Sequence, residues 1–129
     1  METLLTVLLF YYQQILLGNP SKEIIQDYIA VEALIYGVDP QMALHIANNE
    51  SQFNPHPKDG DTTLICRTTG KSMRSRGLWQ WNTCGHEDIS DDEAYNIIIS
   101  TNLALQEMKK NGCGIWKRAC DSYKPYLSG

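Results

Sequence analysis

Apolar positions along the 129-residue chain change their period several times, and the changes mark out its elements. Leu4 to Leu17 (LLTVLLFYYQQILL) is an apolar run interrupted by Gln13 and Gln14. It is too short for a dependable membrane span and reads as a signal segment or, failing that, as a first helix packed on the domain. The signal pattern is imperfect: Met-Glu-Thr carries no Lys or Arg, and no small-x-small site precedes Asn19. Residues 1–18 are expected to be a leader, able to associate transiently with a membrane, and residues 19–129 the domain proper.

Asn19-Pro20-Ser21 has the composition of a helix start, and Ile24, Tyr28, Val31 and Ile35 then recur at helical spacing until Gly37. A second helix follows at once, capped by Asp39, with Pro40 in its first turn and the Asn54-Pro55 pair forbidding continuation; it should run from about Pro40 to Ser51. Between residues 54 and 82 Pro and Gly punctuate the chain. Thr62 to Cys66 has strand composition and Thr69-Gly70 can turn a hairpin. Ser90-Asp91-Asp92-Glu93 is a capping box, and Ala94, Ile97, Thr101, Leu105 and Met108 behind it predict one long helix ending before Gly112. Trp116, Cys120 and Tyr123 lie in a short last helix within 114–128. The fold class expected is mainly α, with a small β-hairpin inserted.

Composition narrows the function more than the fold. An apolar fraction of 43% with 20% charged residues is that of a chain able to bury a core. The net charge of -4 argues against affinity gained by neutralising nucleic-acid phosphates. Four cysteines fit two disulfides in any of three connectivities, and with no C-x-x-C element a zinc site using His56 or His86 has no support. No metal or other cofactor is expected, and His45 and His86 read as structural.

The second helix holds the informative anomaly. Its apolar stripe of Ala43, Ile46 and Ala47 continues at the same spacing onto Glu50, a charged side chain where a core residue belongs. Burial and the negative end of the helix dipole both favour the protonated form. A carboxyl kept protonated near neutral pH is what a general acid needs to deliver a proton to a poor leaving oxygen. The plain alternative is a Glu that turns to solvent or pairs with Arg74 or Arg76.

Tyr36-Gly37-Val38-Asp39-Pro40 opening that helix, Glu50-Ser51-Gln52-Phe53-Asn54-Pro55 closing it, and Ser75-Arg76-Gly77-Leu78-Trp79-Gln80 after the hairpin together resemble the lytic transglycosylase family (SLT type). Asn96-Ile97 falls where that family opens a later helix, and the resemblance spans roughly residues 26 to 120. It implies a lysozyme-like fold and an enzyme that cleaves peptidoglycan glycan strands, acting as a monomer outside the cytoplasm, in a bacterium or with its phage. Glu50 would be the acid/base and Ser51 an orienting or substrate-contacting neighbour. Gly77, Leu78 and Gln80 would shape the cleft floor, and Trp79 or Trp81 would offer a flat face to a sugar. The family's last-helix Tyr-Asn pair is missing, which leaves Tyr123 as the substitute for its Tyr.

The same resemblance implies one carboxyl performing both proton transfers and a 1,6-anhydro product formed without water. Hydrolysis would need a second carboxylate, for which Asp59 and Asp61 are at hand. A third reading keeps the cleft and loses the chemistry, leaving a module that only binds glycan. The inserted segment between Asn54 and Ser75 brings Lys58, Arg67, Lys71 and Arg74, with Arg76 just after it, a basic set able to meet anionic stem peptides. For the cysteines, Cys66 with Cys84 would pin the inserted hairpin beside the cleft, and Cys113 with Cys120 would close the chain end around Trp116.

Overall fold

The computed structural model describes residues 2–58 and 63–123. Helix α1 (Glu2–Leu16) lies across α2 (Lys22–Tyr36). Its Leu8 enters the core, and two tyrosine hydroxyls reach down: Tyr12 donates to Glu32 at 3.0 Å and Tyr11 to Asp27 at 3.3 Å. Glu32 is only 3% exposed, so the Tyr12 hydroxyl supplies a bond that water cannot. Burial first, then the Glu32 charge, pushes the Tyr12 phenol up to about 12. In the structure this run is therefore a helix packed on α2.

Ser21 caps α2 by accepting from the Ile24 amide, and Gly37 ends it at φ 76°, donating to the Ala33 and Leu34 carbonyls. The buried face of α2 is centred on Ile25, Tyr28, Ile29, Glu32 and Ala33, one step round from the expected stripe, because α1, α3 and α5 all pack on it. Helix α3 (Pro40–Ser51) starts as expected, with the Asp39 side chain accepting from the Gln41 amide, and buries Ala43, Ile46 and Ala47.

The inserted segment forms a bridge between Ile65 and Ser72 and is tied at its base by Cys66–Cys84. Asp59 and Asp61, the carboxylates named for a hydrolytic route, lie outside the described residues. The sheet itself is small: β1 (Ser75–Arg76) pairs antiparallel with β2 (Trp81–Asn82), Ser75 opposite Asn82 and Arg76 opposite Trp81. Arg76 points inward, its side chain 3% exposed. It donates to the carbonyls of Trp81 (3.0 Å), Ile89 (2.7 Å) and His86 (3.3 Å) and to Asp91 Oδ1 (3.0 Å).

The single long helix expected after the capping box is two. Helix α4 (Asp91–Tyr95) carries the box, with Ser90 and Glu93 bonding each other's amides, and α5 (Ile97–Asn111) begins anew. The break is Asn96, extended at φ -76°, ψ 121°; its amide closes α4 while its side chain accepts from the Ile99 amide and caps α5. Asn prefers such a cap to a helix interior, so the apolar spacing continued while the backbone turned. Helix α6 (Lys117–Ser122) completes the described chain, with Cys113–Cys120 closed around its start. Both disulfides join the cysteines expected.

Candidate active site

The end of α3 is built from strained backbone. Gln52 caps the helix at φ 53° and Phe53 follows at φ 62°, two successive non-glycine residues in the left-handed region, so the helix stops before the Asn54-Pro55 pair is reached. Such residues cluster at functional sites, where surrounding packing holds them. The turn between β1 and β2 has the same character: Gln80 sits at φ 55°.

Glu50 occupies the last turn of α3, half-buried, and among the described residues its carboxyl has no hydrogen-bond or ion-pair partner. Burial raises its pKa above the usual carboxylate range, and the Arg118 guanidinium on α6 opposes that in part. Arg74 and Arg76, the partners of the plain alternative, are both engaged with Asp91, at 2.7 and 3.0 Å. Burial thus favours the neutral form of this carboxyl.

Other expected site residues turn out differently placed. Ser51 is buried, its hydroxyl donating to the Ala47 carbonyl at 3.2 Å within its own helix. Gly77 is required by packing. At φ 76° a Cβ there would run into the Ala94 carbonyl, coming within 2.9 Å of its carbon, so the glycine lets the turn seat on α4. Leu78 and Trp79 are fully buried, and Trp79 Nε1 donates to Thr101 Oγ1 at 3.0 Å. Neither offers a face to a sugar, because the turn points both into the core, where the rings of Trp79, Trp81 and Trp116 meet. Trp116 Nε1 donates to the Trp79 carbonyl at 3.0 Å and so fastens the turn to the approach to α6.

Gln80 differs from its neighbours. Its amide nitrogen donates to the Gly77 carbonyl at 2.9 Å, which fixes the side chain, and among the described residues its oxygen has no partner and is free to accept.

Tyr123 meets the start of α3. Its hydroxyl donates to Asp39 Oδ2 at 2.7 Å, and its ring packs on His45 at 5.2 Å. Asp39 precedes Glu50 by eleven positions, about 16 Å along a helix. The residue of α6 that acts on Glu50 is Arg118, one that spacing did not single out; the signal was its place in the helix that brings Tyr123 to α3. A groove of about 670 Å³ lined by Gln26, Asp27, Gln41, His45, Asn48 and Tyr123 lies on the other side of α3. Glu50 follows Gln41 by nine residues, roughly half a turn round the helix, so cavity size does not mark the site of the acid.

A mainly helical domain with a small hairpin and one unpaired carboxyl closing a helix is lysozyme-like in its architecture. The family model of the transglycosylase SLT domain matches residues 27–124, and the chain belongs to that family, whose lytic transglycosylase activity is directed at peptidoglycan. No curated protein and no solved structure gives a match. Among the described residues no helix is long and apolar enough to cross a membrane.

Proposed function

We propose that the protein cleaves the MurNAc-GlcNAc β-1,4 bond of peptidoglycan and that Glu50 is its single general acid/base. The observation that carries this reading is the Glu50 carboxyl itself, half-buried, raised in pKa by that burial and without a bonded partner among the described residues. In the neutral form it protonates the glycosidic oxygen as the bond to the anomeric carbon breaks. The carboxylate so formed takes the proton of the muramic-acid 6-hydroxyl while that oxygen bonds to the anomeric carbon. Glu50 ends protonated as it began, and the product is a 1,6-anhydro sugar with no water consumed.

Gln80 is the residue of the hairpin turn suited to a sugar, its free amide oxygen accepting from a hydroxyl or acetamido N–H. The substrate class lies outside the cytoplasm, where two closed disulfides persist, and we place the protein there. Mass analysis of digested peptidoglycan tests the mechanism. Wild type should release ends lighter by one water than hydrated reducing ends, and Glu50→Gln should release none. Hydrated ends alone from wild type, or undiminished cleavage by the variant, would sink it.

A further inference from the structure

A cavity of about 500 Å³ lies where the end of α1, the loop after α3 and the break between α4 and α5 meet. Pro20, Pro55 and Ile98 give it apolar walls, and Asn54, His56, Tyr95 and Asn96 bring polar atoms to it. No Asp, Glu, Lys or Arg lines it.

Those polar atoms are unspent. The Asn54 side-chain oxygen accepts from the His56 amide and that of Asn96 from the Ile99 amide, both at 2.9 Å. Each residue therefore presents its NH2 group, which has no partner among the described residues. The same holds for the Tyr95 hydroxyl and both ring nitrogens of His56. Other cavities differ in this respect. In the groove on the other side of α3, Tyr123 is bonded to Asp39 and His45 to Ser122, and the cavity beside the hairpin is lined by Arg74 and Arg76, both paired with Asp91.

Two rings join the loop to the hairpin. His56 stacks on Tyr95, with centroids 5.3 Å apart and planes 16° from parallel. His56 belongs to the loop that leaves α3, where the Asn54 amide donates at 3.0 Å to the carbonyl of Ser51, the residue after Glu50. A hydrogen-bonded turn of that kind keeps Asn54 within about 11 Å of Glu50, Cα to Cα. Tyr95 lies against the hairpin turn: a Cβ on Gly77 would come 3.4 Å from the Tyr95 Cα, and the Gly77 carbonyl holds the Gln80 side chain at 2.9 Å. The ring pair thus stands between the end of α3 that bears Glu50 and the turn that bears Gln80.

We propose that His56 and Tyr95 are the platform of a subsite for an N-acetylhexosamine unit, occupied by the glycan strand while a neighbouring bond lies at Glu50. This rests on the reading of the chain as cleaving peptidoglycan at Glu50. The aromatic pair offers a flat wall to the C–H face of a sugar ring, and the NH2 groups of Asn54 and Asn96 donate to its hydroxyls or acetamido carbonyl. Pro20, Pro55 and Ile98 receive the acetamido methyl. A lining without Lys or Arg suits a neutral sugar and offers an anionic stem peptide no fixed countercharge.

The test is amide NMR of the full chain as Glu50→Gln, titrated with tetra-N-acetylchitotetraose and, separately, with cellotetraose, which lacks the acetamido groups. It is repeated after adding His56→Ala or Tyr95→Phe, the latter keeping the ring and losing the hydroxyl. Beside it, kcat/KM on soluble glycan strands is read for both substitutions in the chain that retains Glu50. Chitotetraose should shift the His56, Tyr95 and Asn96 amides. His56→Ala should raise Kd about 10-fold and Tyr95→Phe about 2- to 10-fold, with kcat/KM falling alike. Cellotetraose should bind more weakly than chitotetraose, and equal binding overturns the acetamido assignment. Shifts that miss the ring pair, or an unchanged Kd in a folded His56→Ala, overturn the subsite and leave the acid standing if wild type releases anhydro ends. Shifts at the ring pair while Glu50→Gln still cleaves glycan overturn the acid, and with it the place of the subsite beside the scissile bond.

Discussion

Arg76 and Glu50 are both charged groups set into the body of the domain, and their surroundings are opposites. Every part of the Arg76 guanidinium has an acceptor: three backbone carbonyls between residues 81 and 89, and Asp91. The Glu50 carboxyl has none among the described residues, although it too has lost much of its water. A buried charge that serves structure is fully bonded, because each missing partner costs stability. One kept without partners needs another reason to be there, and proton transfer is such a reason. Glu32 falls on the Arg76 side of the comparison, being buried, bonded to Tyr12 and remote in role from chemistry.

The comparison can be broken at its strongest point first. Glu50→Gln should lower peptidoglycan cleavage by about 10²- to 10⁴-fold, read as the release of anhydro ends, with the fold unchanged by circular dichroism. Arg76→Met should do the reverse. It should lose about 3–5 kcal/mol of stability in urea unfolding, because three buried carbonyls lose their donor and Asp91 loses one of its two arginines, while the chemistry per folded molecule is little altered. If Arg76→Met were stable and inactive, the assignment of the two charges would have to be exchanged.

Tyr12→Phe removes one bond from the buried Glu32 and should cost about 1–3 kcal/mol, measured by the same unfolding. The smallest effect is in pH. Glu50 has a raised folded pKa, so its ionisation opposes folding; Glu50→Gln should be more stable than wild type near neutral pH, and the gain should vanish below the unfolded carboxylate range, about pH 4. Asp91 has a lowered pKa, so its contribution is present near neutral pH and is lost as pH falls through its folded value; Asp91→Asn should be the less stable protein near neutrality only. Thermal melts across pH that show both variants changing in the same direction would remove the contrast.

Much of this was legible in the sequence because it is local. Ser21, Asp39, Ser90 and Gly37 start or stop helices through bonds to residues at most four positions away, and each does so where the pattern placed it. Glu50 was visible for a related reason, as a charge standing in an apolar stripe. The break at Asn96 escaped because Ile97, Thr101 and Leu105 keep helical spacing through it, and periodicity records side chains rather than the backbone turn that a cap permits. The Gly-Leu-Trp-Gln turn was found by its residues, but their directions were not. The same four letters fit a turn facing a ligand or one facing the core, and contact with Thr101, Trp116 and Ala94 decides between them.

The sequence by itself determined most of the helices and their caps, the family and the carboxyl standing in an apolar stripe, since all of these depend on neighbours along the chain or on motifs within it. The tertiary structure alone decided that Arg76 is satisfied, that Glu50 has no partner among the described residues, and that Tyr123 meets Asp39. The physical reason is distance in sequence. Solvation and Coulomb energy depend on what lies within a few ångströms in space, and the burial that shifts Glu50 is made by elements distant from it along the chain.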